Sequence, residues 1–398
     1  VMVGALDDPA TYRNARVEQA AMVVATRNDP TNTNIAFTVR EIAPGVEVLA
    51  SANSPAAVDI LEIAGADHVV QLGEILGSAM AARTLGLGGT SHVIGEFAGL
   101  KIAEAGVVGT QMVGRTPGDL TLRSRLGVGI IGVWQRGEFA IAMADTELGE
   151  TSMLLLAGTA EQLAAFDAEY AVDQVEARHA VIIGGGRVGR AIGAVFDGEG
   201  ISFSIVEQLA ERRREGVSYV IGDAANREIL EAAGLAEASA VLITTHDDDV
   251  NVYLTRYCRG LRPEVRIVSR ARLDRNVTTL YRAGADAVLS YAGTGSASIW
   301  NQFRGDETLL VAQGLNVFRS PIPAELVGSS LAESHVHRRT NCNVVAIEVD
   351  GQIEGNPDPR STLPAGAELV LVGTDVAEAK FSEVFPHARR RLLRGRRV

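Results

Sequence analysis

Four apolar residues, Ala180 to Ile183, open onto a turn carrying Gly184, Gly186 and Gly189, and Val188, Ile192, Val195 and Phe196 follow at helical spacing. That order predicts strand, glycine turn, helix. A second apolar run, Phe203 to Val206, ends in Glu207. It lies about twenty residues beyond the turn, where a βαβ dinucleotide site places the acid that holds a ribose hydroxyl. Each position has a physical reason: Gly184 permits the tight turn, Gly186 lets a phosphate approach the backbone, and Gly189 lets helix and strand pack closely. The helix N-terminus offers free N–H groups to an anion. The stretch therefore predicts a nucleotide site; the alternative is a lobe of the same build that keeps its glycines for packing and binds nothing.

The rest of the chain is organised by repetition. Residues 1–3, 22–25, 47–50 and 68–70 read as strands, and residues 9–15, 34–42 and 56–65 as helices, an alternation that predicts a parallel sheet covered by helices. The succession recurs from Val217: residues 222–226 answer 4–8, 241–244 answer 23–26, and Ala283-Gly284-Ala285-Asp286 repeats Ala64-Gly65-Ala66-Asp67. The first copy reads as the second half of a lobe whose complete form lies near residues 178–303, with its own glycine turn expected upstream of Val1. The intervening segments repeat too: Val113-Gly114 answers Val327-Gly328, Gly137 answers Gly351, and Gly158-Thr159 answers Gly373-Thr374. In this smaller unit strands are expected at 128–134, 139–142 and 152–157, then at 343–349 and 368–372, with hairpin turns at 136–137 and 350–351. The expected α/β architecture is therefore tandem: a partial Rossmann-like lobe (1–90), a small α/β lobe (91–174), a complete Rossmann-like nucleotide-binding lobe (175–303), a second small lobe (304–387) and a basic tail (388–398). A period of about 215 residues is too long for a solenoid and reads as duplication of a two-lobe module.

Composition narrows the classes of function. A net charge of −12 and no basic patch interleaved with aromatics argue against nucleic acid as a partner. The basic exception is the tail, with six arginines between Arg389 and Arg397, which reads as a solvated segment or one that meets anionic headgroups. No run reaches the roughly 18 apolar residues of a membrane span. Cys258 and Cys342 stand far apart without metal-ligand spacing, so a reducing cytoplasm is expected, with both thiols in core packing rather than nucleophilic roles.

A glycine-turn lobe followed by a small α/β lobe, the pair occurring twice, resembles the RCK (regulator of potassium conductance) module, also described as TrkA-N and TrkA-C domains. The likeness covers almost the whole chain. It rests on VIIGGGRVGRA, on Gly222-Asp223-Ala224, on TTHDDDVNVYLTRYCRGLRPEVRIVSRA from Thr244, on RAGADAVLSYA from Arg282, and on LRSRLGVGIIGVWQRGEF and LVGSSLAESHVHRRTNCNVVAIEVDG in the small lobes. Together these are most similar to prokaryotic potassium channels in which two RCK modules follow the pore helices. The resemblance implies a non-enzymatic gating ring at the cytoplasmic face of the membrane: a homotetramer around a potassium-conducting pore, which would lie upstream on the same chain or on a separate membrane subunit. It also implies pairing of modules through the helices after the fifth and sixth strands, with Val277, Leu280, Tyr281 and Ile299 as the apolar contacts. No selectivity-filter sequence is present, and Ala5 stands where the second copy has Asp223, which puts nucleotide binding in the first lobe in doubt.

The candidate site lies at the carboxyl ends of the strands of the second large lobe, where the strand order reverses. Gly184, Gly186, Arg187, Val188 and Gly189 follow the first strand, Glu207 ends the second, Asp223 and Ala224 follow the third, and Thr244, Thr245, His246 and Asp247 follow the fourth. By the resemblance, Glu207 takes the ribose hydroxyls, Asp223 and Ala224 flank the adenine, and Arg187 meets a phosphate; without it, Arg187 is equally a surface arginine. An acid at Glu207 disfavours a 2′-phosphate, so NAD or NADH, or else ADP or ATP, is expected rather than NADP, a preference softened by Arg212, Arg213 and Arg214. The acidic run Asp247-Asp248-Asp249 reads as a helix cap, with a nucleotide contact or a divalent cation site as alternatives. No catalytic residues are assigned and a metal site is not located. The function classes weighed are the gating region of a potassium channel, the peripheral nucleotide-binding subunit of a Trk-type potassium uptake system, and an NAD-dependent oxidoreductase, for which no proton-relaying constellation is visible.

Overall fold

The computed structural model describes residues 1–86, 89–97, 99–135, 138–150, 152–171, 179–304, 308–312 and 315–386. The basic tail, the hairpin turn at 136–137 and the expected boundary near 174 lie outside them. The first large lobe runs α1 (Pro9–Asn14), β1 (Met22–Ala25), α2 (Asp29–Ile42), β2 (Glu47–Ser51), α3 (Ala56–Ile63) and β3 (His68–Val70). Its three strands form a parallel sheet in the order β1-β2-β3. Residues 1–3 are not a strand, contrary to the expectation from sequence. Their counterpart in the second copy pairs only with the strand that ends in Glu207, and no strand answering that one lies among residues 1–86.

Helix α4 (Leu72–Gly86) does not stay with the lobe it follows. Its Leu76, Met80 and Ala81 are buried against Ile182, Val188, Ile192 and Phe196 of the second large lobe. The first small lobe then comprises β4 (His92–Phe97), β5 (Leu100–Gly106), short helices α5 (Pro117–Leu120) and α6 (Leu122–Leu126), β6 (Gly129–Gln135), β7 (Glu138–Ile141), β8 (Ser152–Gly158) and α7 (Ala160–Tyr170).

The second large lobe is complete: β9 (Ala180–Ile183), α8 (Arg187–Gly198), β10 (Phe203–Glu207), β11 (Tyr219–Ile221), α9 (Arg227–Ala232), β12 (Ala240–Ile243), α10 (Asp248–Leu261), β13 (Arg266–Ala271), α11 (Val277–Ala283), β14 (Ala287–Ser290) and α12 (Tyr291–Arg304). All six strands are parallel, in the order β11-β10-β9-β12-β13-β14. A sheet covered on both faces needs strands apolar on both sides, and β9 and β12 are buried at every position. The chain moves outward from β9 in one direction and returns to β12 on its other side, which opens a crevice above their carboxyl ends. Val277 and Leu280 belong to this lobe's own core, and Leu280 is fully buried, so Leu280 offers no surface to the helix pairing expected from sequence.

The second small lobe contains β15 (Thr308–Ala312), β16 (Leu315–Pro321), α13 (Leu331–Ser334), α14 (Val336–Thr340), β17 (Asn343–Val349), β18 (Gln352–Gly355), β19 (Glu368–Thr374) and α15 (Asp375–Val384). Its antiparallel order, β15-β16-β19-β17-β18, repeats the first small lobe's β4-β5-β8-β6-β7 strand for strand. Asp350 and Gly351 both take positive φ, 50° and 79°, as the tight turn joining β17 to β18 requires. The two small sheets face one another: Ile102, Ile131 and Leu155 pack with Val317, Val345 and Val370 in one core. Asn356 pins the junction, its Nδ2 donating to Gly127 O at 2.6 Å and Ala157 O at 3.1 Å.

Candidate functional site

The crevice above β9 and β12 is a cavity of about 460 Å³, within the range of small-ligand pockets. Eleven of the twelve residues expected from sequence line it: Gly184, Gly186, Arg187, Val188, Glu207, Asp223, Ala224, Thr244, Thr245, His246 and Asp247. The twelfth, Gly189, lies beneath, where an added Cβ would collide with the carbonyl oxygen of Gly184. Gly184 has a φ of +109°, and a Cβ there would come within 2.7 Å of Thr244 Oγ1. That hydroxyl lies 3.0 Å from both Ile183 O and Gly184 O and locks the turn to β12. A Cβ on Gly186, by contrast, would meet nothing within 4 Å, because the space beside it is the cavity. Gly186 is also the N-cap of α8, and no side chain caps that end, which leaves its first N–H groups to an incoming acceptor.

Glu207 closes one end. It is 5% exposed, and its carboxylate accepts from Gly185 N at 2.9 Å, Leu209 N at 3.0 Å and Arg212 Nη1 at 3.3 Å. Burial pulls its pKa upward, but the bonds from Leu209, Arg212 and Gly185 outweigh it and hold the carboxyl below its ordinary value. Glu207 is thus a fixed, ionised acceptor at neutral pH. Asp223 is exposed at the rim and caps its own turn through Ala225 N at 2.9 Å.

The opposite end is cationic, and two of its residues, Arg270 and Tyr291, were missed from sequence. Arg270, near the end of β13, is 3% exposed, has no ion pair among the described residues, and its Nε finds no acceptor. Its guanidinium lies 4.6 Å from the ring centre of Tyr291, the first residue of α12, and donates to His246 Nδ1 at 3.2 Å. A buried guanidinium without an anion is costly, and here it faces a cavity that also holds Arg187 and Arg212. The signal was a lone arginine inside an otherwise buried strand. His246 is held neutral: burial first, then Arg270, Arg187, Arg212 and Arg272, lower its pKa.

The acidic run divides into structural duties. Asp247 caps α10 through Asp249 N at 2.8 Å and Val250 N at 3.2 Å, while Asp248 accepts from Arg272 N at 2.6 Å, Leu273 N at 3.2 Å and Asn276 Nδ2 at 2.6 Å. No three His, Cys, Asp or Glu side chains gather as a metal site among the described residues. Cys258 and Cys342 are buried, and burial pushes their thiols up to about 12 and about 11, which fits packing roles.

Comparison with known proteins agrees with this fold. The TrkA-N domain family matches residues 1–72 and 180–291, and the TrkA-C domain family matches residues 317–385. The crystal structure of the GsuK RCK domain superposes with a TM-score of 0.70 at 36% identity, covering 97% of this chain and 85% of that one. The GsuK channel bound to NAD gives 0.69 at 36% identity, over 97% of this chain and 71% of that one. A probable potassium channel protein 2 of Methanocaldococcus jannaschii is 26% identical over 219 residues, half of this chain and 64% of the relative, so the chain spans just under two thirds of that protein's length. With the paired lobes, the repeated strand orders and the extent of these matches together, the chain belongs to the TrkA-N/TrkA-C family, as a tandem RCK region.

Proposed function

We propose that the chain is the ligand-binding gating region of a potassium channel, and that a nucleotide in the second large lobe biases the gate. The observation that carries this reading is the polarity of one cavity: an ionised acceptor, Glu207, after β10 at one end, Arg270, without an ion pair among the described residues, on β13 at the other, and the uncapped N-terminus of α8 between them. That arrangement suits a molecule with a diol at one end and phosphates at the other. The ligand is NAD, NADH or an adenine nucleotide, with ribose on Glu207, adenine between Asp223 and Ala224, and phosphates over Gly184, Gly186, Arg187 and Val188 and within reach of Thr244, Thr245 and His246. The solved GsuK channel bound to NAD supports the choice of ligand class. The division into lobes near residues 90, 174 and 304 belongs to the same proposal, as do assembly of four chains and a place at the cytoplasmic face of a membrane beside a pore. The reading is regulatory rather than catalytic.

A ligand shifts a gate only by its difference in affinity for the two gate states. The test is therefore potassium flux through a reconstituted channel carrying this region, with and without NAD, NADH, ADP and ATP. Flux should respond to at least one nucleotide in the parent and to none in Gly186→Val, while flux without nucleotide stays the same in both. A nucleotide response that survives Gly186→Val contradicts the proposal.

A further inference from the structure

A second cavity, of about 380 Å³, lies where three lobes meet and shares no residue with the first. Its walls come from Ile75 and Ala79 of α4, Val277 and Tyr281 of α11, and Ala297 of α12, with the first small sheet as its floor. The volume falls within the roughly 300–1,000 Å³ of pockets that hold small organic molecules. Most of the lining is apolar. Ser78, Ser290, Thr294 and Ser298 add neutral polar groups, and the charged part is one corner, where Arg83 of α4 is ion-paired to Glu104 of β5, and Glu104 is 5% exposed.

The chemistry of that corner selects among ligands. Glu104 neutralises Arg83, and burial, the largest influence on His92 beside them, keeps its imidazole below its ordinary pKa. The corner therefore carries no net charge to attract an ion, and an ion entering it would surrender its hydration without an opposite partner. Two donors are left over: neither Arg83 Nε nor Trp134 Nε1 has an acceptor among the described residues, although both are buried. Buried donors without partners are rare in folded proteins and call for an explanation. An acceptor atom carried on an apolar body meets both features of this cavity.

We propose that this inter-lobe cavity is a second small-molecule site, taking an uncharged, mainly apolar ligand whose hydrogen-bond acceptor is placed in the Arg83–Trp134 corner. The site depends on the tandem arrangement, because its walls belong to the end of the first large-lobe copy, the first small lobe and the complete second lobe. In the second copy Gln302 and Arg319 stand where Arg83 and Glu104 are, and Arg319 pairs with Glu348 instead. The corner is not reproduced there.

The chain has two tryptophans, so Trp300→Phe leaves Trp134 as the sole emitter. Benzamide and acetanilide serve as neutral probes, with benzoate and benzylammonium as charged controls. We expect saturable changes in Trp134 emission with the neutral probes on a scale of about 1 mM, an affinity ordinary for fragments, and charged controls at least about tenfold weaker. Ala297→Phe, which fills the cavity, should abolish the response; if its circular dichroism shows that it fails to fold, Ser78→Leu on the facing helix takes its place. A non-saturating response to both neutral probes, equal binding of the charged controls, or unchanged binding in the folded filled variant overturns the site.

Discussion

The two large lobes share their framework and differ at the rim where a ligand would sit. In the first, Arg40 donates to Gly65 O, Pro44 O and Asp67, whose carboxylate also accepts from Val48 N at 2.8 Å. In the second, Arg259 donates to Gly284 O, Pro263 O and Asp286, whose carboxylate accepts from Ile267 N at 2.7 Å. Asn32 ties α2 to Ser51 O at 2.7 Å just as Asn251 ties α10 to Arg270 O at 2.9 Å. The arginine bonds lie at the foot of the sheet and the asparagine bonds near the carboxyl ends of its strands, and duplication has kept them bond for bond. At the rim the copies part. Ser51 stands for Arg270, Leu72 for Tyr291 and Ala5 for Asp223, and the loop after β1 is one residue shorter, so that His246 has no counterpart. The residues that charge the second copy's cavity are thus replaced at the matching positions of the first.

The change expected to break this contrast most completely is Gly186→Val. Its side chain would enter the open space beside the turn, and nucleotide binding should fall by more than about a hundredfold by calorimetry, with the thermal unfolding midpoint little altered. A loss of only a few-fold would mean that the phosphates do not lie over this turn. Next comes conversion of the rim to the first copy's residue. Arg270→Ser removes charge-assisted hydrogen bonds worth about 1.5–3 kcal/mol each, so affinity should drop about ten- to a hundredfold, while the ligand-free protein loses only the contacts with Thr244 O, His246 and the Tyr291 ring. Glu207→Ala should cost about tenfold on the same grounds; undiminished affinity in either variant would remove that end of the cavity from the site.

The shared framework is tested by Arg40→Ala and Arg259→Ala. Both arginines cap carbonyls and hold an aspartate, and each loss should destabilise its own lobe by about 1–3 kcal/mol. The exposure of these ion pairs keeps the Coulombic part small. Chemical denaturation followed by hydrogen exchange would locate the effect; destabilisation in only one lobe would show that the matching bonds do not carry matching weight. The smallest effect concerns pH. His246 has its pKa lowered in the free protein by burial and by Arg270, Arg187 and Arg212, and a bound phosphate would raise it. Binding then takes up a proton, so affinity should rise as pH falls through and below the ordinary histidine value of about 6.5, by about two- to fivefold between pH 7.5 and 5.5. Affinity that falls over that interval would place the phosphates elsewhere.

What was legible in the sequence was what depends on neighbours along the chain. The glycine turn, the strand ends that meet above it, the Asp247 cap and the Asp350-Gly351 hairpin all follow from local spacing and local backbone demands. What was not legible depends on partners far away. Strand β5 carries Lys101 and Glu104, which disguise it as a solvated segment until Arg83 arrives from α4 to pair with Glu104. Helix α4 itself is glycine-rich and apolar on most sides because it lies between lobes. A Cβ on Gly77 would come within 2.8 Å of Val188 O, so its glycines set how closely it rides on the first turn of α8. Arg270 escaped notice for the same reason: its role is set by a cavity assembled from four strand ends, not by its neighbours in β13.

The central claim is that one large lobe of the two binds the nucleotide. Titration calorimetry with NAD, NADH, ADP and ATP on the parent chain and on Arg270→Ser measures this directly through stoichiometry. The account expects one site per chain for whichever nucleotide binds, with that single site weakened by the substitution. Two equivalent sites per chain, or heat from none of the four nucleotides, would contradict it.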